Sequence, residues 1–253
     1  MKLLFCCLAL GALPALGEQR DLPTAPITLY TSFQQDPPPA VLEALQDELE
    51  SIMLPMNLHF QWRSLSAANG NEVVVELAVV TFQGRCDIAS VVPRTGQGAF
   101  RAGALGWTHV SDGTILPFSD VDCDRIRGFV QRDLYYLPAG DREEAFGRAI
   151  GRVLAHELYH VFADTVRHGV CGVGKAAYTV GELLSPDFRF EQQESKALRT
   201  GKAHAALENN GGAPRGGPGI TGPTLRSPGT ASAGSGYPPS IRGGIVGSAG
   251  MLP

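Results

Sequence analysis

Within the stretch Val153–Val161, three residues have types and spacing that could do chemistry: His156, Glu157 and His160 form the pattern H-E-x-x-H. If the stretch is helical, residues four apart share a face with β-carbons about 5–6 Å apart, so the two imidazoles can converge on one metal ion. Glu157, beside the first of them, can then take the proton of a water that the ion activates. Two neutral imidazoles, a third nitrogen or oxygen ligand and one open position suit Zn2+. From Val153 to Ala163 Glu157 is the sole charged residue, and Leu154, Leu158, Tyr159, Val161 and Phe162 are apolar or aromatic. A solvated helix that carried these letters by chance would show Lys, Arg or Glu between them.

A zinc hydrolase needs a third protein ligand. His168 lies eight residues beyond His160, a rise of about 12 Å if the helix simply continued. The chain must therefore turn between Phe162 and Arg167 for His168 to reach the same ion. Glu182 and Asp164 are the alternatives, and Asp164 would otherwise cap the helix end or hydrogen-bond a ligand histidine. Cys171, three residues after His168, could also ligate. The glycines at 169, 172 and 174 suit either a wall close to a metal or an ordinary connection.

The segment resembles the active-site helix of the zincin metallopeptidases, whose H-E-x-x-H is likewise flanked by uncharged residues. In the metzincin branch a glycine three residues after the second histidine makes the turn, and a third histidine follows three later. Here Ala163 and Val166 stand at those places, and no methionine follows until Met251, so the metzincin Gly and Met-turn are both missing. The gluzincin branch takes a glutamate from a second helix, which would make Glu182 the third ligand. The resemblance implies peptide-bond hydrolysis with Glu157 as general base and His156, His160 and His168 (or Glu182) on the metal. It also implies an edge strand near Gly106–Leu116 that pairs with an extended substrate, and a donor to the developing oxyanion, for which Tyr178 is the candidate. Two readings stay beside it: a secreted zinc-binding or structural domain without catalysis, and a hydrolase of a non-peptide amide. Lys175 could hold a substrate carboxylate or sit in solvent.

The elements that must position these residues are legible from period and punctuation. Pro26–Phe33 reads as a strand, and Ala40–Leu54 as an amphipathic helix between Pro37–Pro39 and Pro55. Asn57–Arg63 alternates and places His59 on the polar face, away from any metal. Glu72–Phe82 reads as a central strand, and Cys86–Val92 and Ala104–Val110 as two more. Asp112-Gly113 marks a hairpin turn into Thr114–Phe118. His109, on that hairpin, is structural or lines the cleft. Asp120–Tyr136 reads as a helix with an acidic cap, and Asp141 caps the long helix that runs into the motif. Tyr178–Phe190 reads as a short helix with an extended end. The fold class expected is α+β and zincin-like: a mixed twisted sheet with packed helices, the last long helix carrying the motif, followed by a small C-terminal part.

The 253 residues, 43% hydrophobic and 18% charged, allow one domain of moderate size with extras. A formal net charge of −4 gives no electrostatic footprint for nucleic acid or an anionic membrane. Residues 1–17 read as a signal peptide: Met1-Lys2, an apolar run from Leu3 to Leu10, and small residues at Ala15 and Gly17 before cleavage ahead of Glu18. The run is short of the roughly 18–20 residues that a spanning helix needs. Export to an extracellular or periplasmic space permits a disulfide, and Cys86 with Cys123 is the preferred pair, which leaves Cys171 over. Residues 18–198 are expected to form the domain. Residues 199–253, rich in Gly, Pro and Ser, are expected to be a disordered tail.

Overall fold

The β-branched and aromatic run ITLYTSF forms β1 (Ile27–Phe33), whose Ile27 and Leu29 are fully buried. Pro38 and Pro39 then open helix α1 (Pro39–Met53), since proline's fixed φ and missing N–H suit a first helical turn. Its Val41, Leu45, Leu49, Ile52 and Met53 face the core. The structure, a computed structural model, describes residues 26–88, 103–211 and 246–247.

The strands β2 (Phe60–Ser64), β3 (Leu77–Gln83), β4 (Gly106–Ser111) and β5 (Thr114–Asp122) join β1 in one sheet ordered β2-β1-β3-β5-β4. Four of them run parallel, and β4 lies antiparallel to β5 at the edge. The β4–β5 hairpin turns at Asp112 and Gly113, with φ of 50° and 78°, the positive values a two-residue turn of this kind requires. β3 occupies the centre, as expected, yet it starts at Leu77 and not Glu72. Ahead of it, Asn71 N–H donates to Asn69 Oδ1 and Asn69 N–H to Glu72 Oε1. These side chains satisfy the local backbone in a turn and leave Val73 in solvent.

Cys86–Ile88 is not a strand, and Val92 lies outside the described residues. Cys86 is instead tied to Cys123 by a disulfide at the start of α2 (Cys123–Tyr135). The cap of α2 is Asp122, which accepts from Arg125 N–H, whereas Asp120 belongs to β5. The long helix α3 (Ala139–Ala163) likewise begins behind Pro138, two residues before Asp141. Gly147 and Gly151 lie one turn apart on α3, where a β-carbon would come within 2.5 Å of Val41 O and 2.8 Å of Leu45 O respectively. Their bareness lets α1 and α3 cross backbone to backbone. α3 also packs on β4 and β5, and the core fills the space between these helices and the sheet.

After α3 come β6 (Ala177–Tyr178), α4 (Val180–Leu184), α5 (Gln192–Thr200) and α6 (Lys202–Gly211). Folded structure thus passes the boundary expected at residue 198. Ala203 and Leu207, four apart on α6, are buried, and His204 Nε2–H donates to Met56 O at 2.6 Å. So narrow an apolar stripe is easily lost in a Gly-rich composition. Residues 1–17 and most of the expected tail lie outside the described residues; Val246–Gly247 forms β7, parallel to β6. Among the described residues no helix is long and apolar enough to cross a membrane.

Candidate metal centre

His156 and His160 sit in the last two turns of α3, 0% and 3% exposed. α3 ends at Asp164, which adopts the left-handed conformation (φ 48°) with its N–H returned to His160 O. Aspartate tolerates that region better than most side chains. Asp164 thereby supplies the sharp turn for which a glycine is missing, and the chain doubles back to bring His168 to the two helical histidines. The ligand-capable atoms of His156, His160 and His168 all lie within 4.8 Å of one another. Neither Glu182 nor Asp164 belongs to this group. Glu182 is spent on the α4 capping box with Thr179 and on an ion pair with Lys175 at 2.5 Å. Cys171 is exposed and unbridged outside the cluster, with its thiol pushed up chiefly by a hydrogen bond to Glu191.

The protonation of the two helical histidines follows from their partners. His156 Nδ1 is 2.7 Å from Val173 O and His160 Nδ1 is 2.6 Å from Thr165 O. A carbonyl oxygen only accepts, so both Nδ1 atoms carry the proton and both Nε2 atoms present lone pairs. Those Nε2 atoms face each other at 3.0 Å. A proton between them would need an imidazolium. Burial pushes His160 down to about 4 and, with the neighbouring His160 and His168 rings, pushes His156 well below the ordinary imidazole value of 6.5. Two neutral acceptors aimed at one point fit a Lewis acid. Tetrahedral nitrogen ligands at about 2.0–2.1 Å stand roughly 3.3 Å apart, close to the spacing found.

Tyr178 does not take the place of an oxyanion donor. It is fully buried, and its hydroxyl donates to Val173 O, the same carbonyl that fixes His156 Nδ1. It stands behind the His156 ring, on the side away from Nε2, and holds the ring's support; burial raises its pKa well above 10. The glycine-rich loop serves packing. A β-carbon at Gly169 or Gly174 would strike the Glu194 side chain of α5, and Gly172 has φ 65°. Tyr159 is packing too, with its ring against Phe190. His59 bonds Glu50 at 2.8 Å, and His109 bonds Asp120 at 2.5 Å; neither joins the cluster.

Glu157 points from α3 toward the sheet edge and is fully buried. Thr108 Oγ1 lies 2.9 Å from Glu157 Oε2 and 3.0 Å from its backbone oxygen. Thr108, Ser119 and the carbonyls of Thr165 and Val173 are the residues around the cluster that no sequence motif marks. Carbonyls leave no trace in residue identity. Thr108 had a signal, since it lies two residues from Gly106 and so on the same strand face. No protein-family model, curated protein or solved structure matches this chain.

Proposed function

We propose that the protein is an exported zinc metallopeptidase of zincin type, hydrolysing peptide bonds at the centre formed by His156, His160 and His168. The observation that carries the reading is the pair of Nε2 lone pairs at 3.0 Å, each fixed by a backbone carbonyl on its Nδ1–H, with Glu157 next in sequence to the first. The mixed sheet with an antiparallel edge strand beside the motif helix supports it, because an extended peptide can add to such an edge by backbone hydrogen bonds. A zinc ion held by the three histidines would supply Lewis acidity, acidifying a water and polarising the scissile carbonyl. Glu157 accepts the water's proton as the new C–O bond forms and passes it to the amine nitrogen as the C–N bond breaks. The carbonyls of Val173 and Thr165 keep the imidazoles in the Nδ1–H form and stop the rings from turning.

The test is hydrolysis of a mixed peptide library by the zinc-loaded full chain, with Glu157→Gln as control. Cleavage by the parent, reduced about 10²–10⁴-fold in the control, is the expected result. A second reading is favoured by the complete burial of Glu157: a secreted zinc-binding domain whose carboxylate is structural. It predicts zinc without cleavage.

A further inference from the structure

We infer that β4 is a cradle for the general base, in which Gly106 and Thr108 fix the orientation of the Glu157 carboxylate and Ser119 holds Thr108 in place. The inference rests on the reading of Glu157 as base given above. Gly106 and Thr108 are two residues apart, so both face α3. Thr108 is 6% exposed, and its Oγ1 is 3.1 Å from Ser119 Oγ as well as 2.9 Å from Glu157 Oε2. A hydroxyl has one proton. Both Glu157 oxygens within reach only accept, so Thr108 gives its proton to Glu157, and Ser119 must donate to Thr108. Oε2, at 2.9 Å, is the nearer of the two acceptors.

The other side of the carboxylate is shaped by an absence of side chain. A β-carbon on Gly106 would come within 3.0 Å of Glu157 Oε1 and Cγ and of Asp120 O. A side chain there would require the Glu157 carboxylate or the Asp120 backbone to give by a few tenths of an ångström. The β4–β5 register shifts between Thr108 and Val110, so that Thr108 stands opposite Ser119. Continued from the hairpin, the register of Ser111 with Thr114 would put Pro117 there, which has no donor. The irregularity is what supplies the hydroxyl behind Thr108, a use of bulges that re-aims a side chain. Thr108 and Ser119 are positioning residues, and Glu157 is the group they act through.

The full zinc-loaded chain is compared as parent, Thr108→Val, Thr108→Ser and Gly106→Ala, with metal content, kcat, KM and acetohydroxamate affinity measured on each. A hydroxamate chelates zinc and hydrogen-bonds an adjacent carboxylate, so its affinity reads the carboxylate's orientation without turnover. Thr108→Val is expected to keep the parental zinc content, lose about tenfold or more in kcat with KM within about twofold, and weaken acetohydroxamate about tenfold. Thr108→Ser restores both, and Gly106→Ala lowers both. Parental kcat and hydroxamate affinity in Thr108→Val would overturn the cradle. If the parent cleaves no peptide, the peptidase reading fails while the hydroxamate arm still decides the cradle. In the metal-free chain, the melting temperatures of Thr108→Val, Glu157→Ala and the double variant give a further arm. Overlapping shifts support the contact, and additive ones overturn it. Should Thr108→Val not fold, Ser119→Ala is expected to move the same readouts in the same direction.

Discussion

At the scale of single residues, the centre is a matter of protonation. His156 and His160 are buried neutral, so in the metal-free protein their folded pKa lies below the unfolded 6.5, at about 4 for His160. Between those values the unfolded chain binds more protons than the folded one, and stability falls as pH falls. The contribution is fully present above about 6.5 and lost by about 4. Thermal unfolding of the metal-free protein is therefore expected to drop by several degrees between pH 7 and pH 4.5, and His160→Phe to flatten that dependence. His156, Glu157 and His160 were legible because a fixed spacing on a helix has one geometric meaning. His168 was legible as the nearest nitrogen, and so was the need for a turn between Phe162 and Arg167, but the residue that makes the turn was not. Asp164 was readable as a cap for the helix end, which it is, but only its φ of 48° shows that it makes the turn.

At the scale of elements, one buried charge ties three helices together beneath the centre. Arg152, one turn before His156, is fully buried; its Nε bonds Glu48 Oε1 of α1 at 2.7 Å, and Nη1 reaches Glu182 O and Leu183 O of α4. Desolvation is the leading influence on the guanidinium and lowers its pKa. Removing one partner strands the other charge, so Arg152→Met is expected to cost about 3 kcal/mol in denaturant unfolding, while Arg152→Met with Glu48→Leu recovers most of it. Arg189, 3.7 Å from Glu48, keeps the single variant from costing more. Element positions were readable wherever period and punctuation agreed, as in α1 and the Asp112-Gly113 hairpin. They were misjudged where side chains competed for the backbone, as at Asn69–Glu72. The β4–β5 register was beyond reach because a bulge leaves no composition signal.

At the scale of the whole molecule, the chain just after the central strand β3 is fastened to the start of α2 by Cys86–Cys123, which closes a loop with a sequence separation of 37. Loop-closure entropy for such a crosslink is worth roughly 4 kcal/mol, so Cys86→Ala with Cys123→Ala is expected to lower the melting temperature by 10 °C or more. A zinc ion at the proposed centre would brace α5 as well, because Gly169 and Gly174 pack on Glu194 and Gly201, at the end of α5, abuts Phe162 O. Metal removal should then loosen the segment after His168 before it loosens the sheet, a difference that amide exchange measures. The three-histidine centre is tested by zinc bound per folded full chain, for the parent, His168→Ala, Glu182→Ala and Glu157→Gln. Close to one zinc is expected in the parent, kept in Glu182→Ala and Glu157→Gln and lost in His168→Ala. A folded parent that binds no zinc, or a His168→Ala variant that binds it as tightly as the parent, would contradict it.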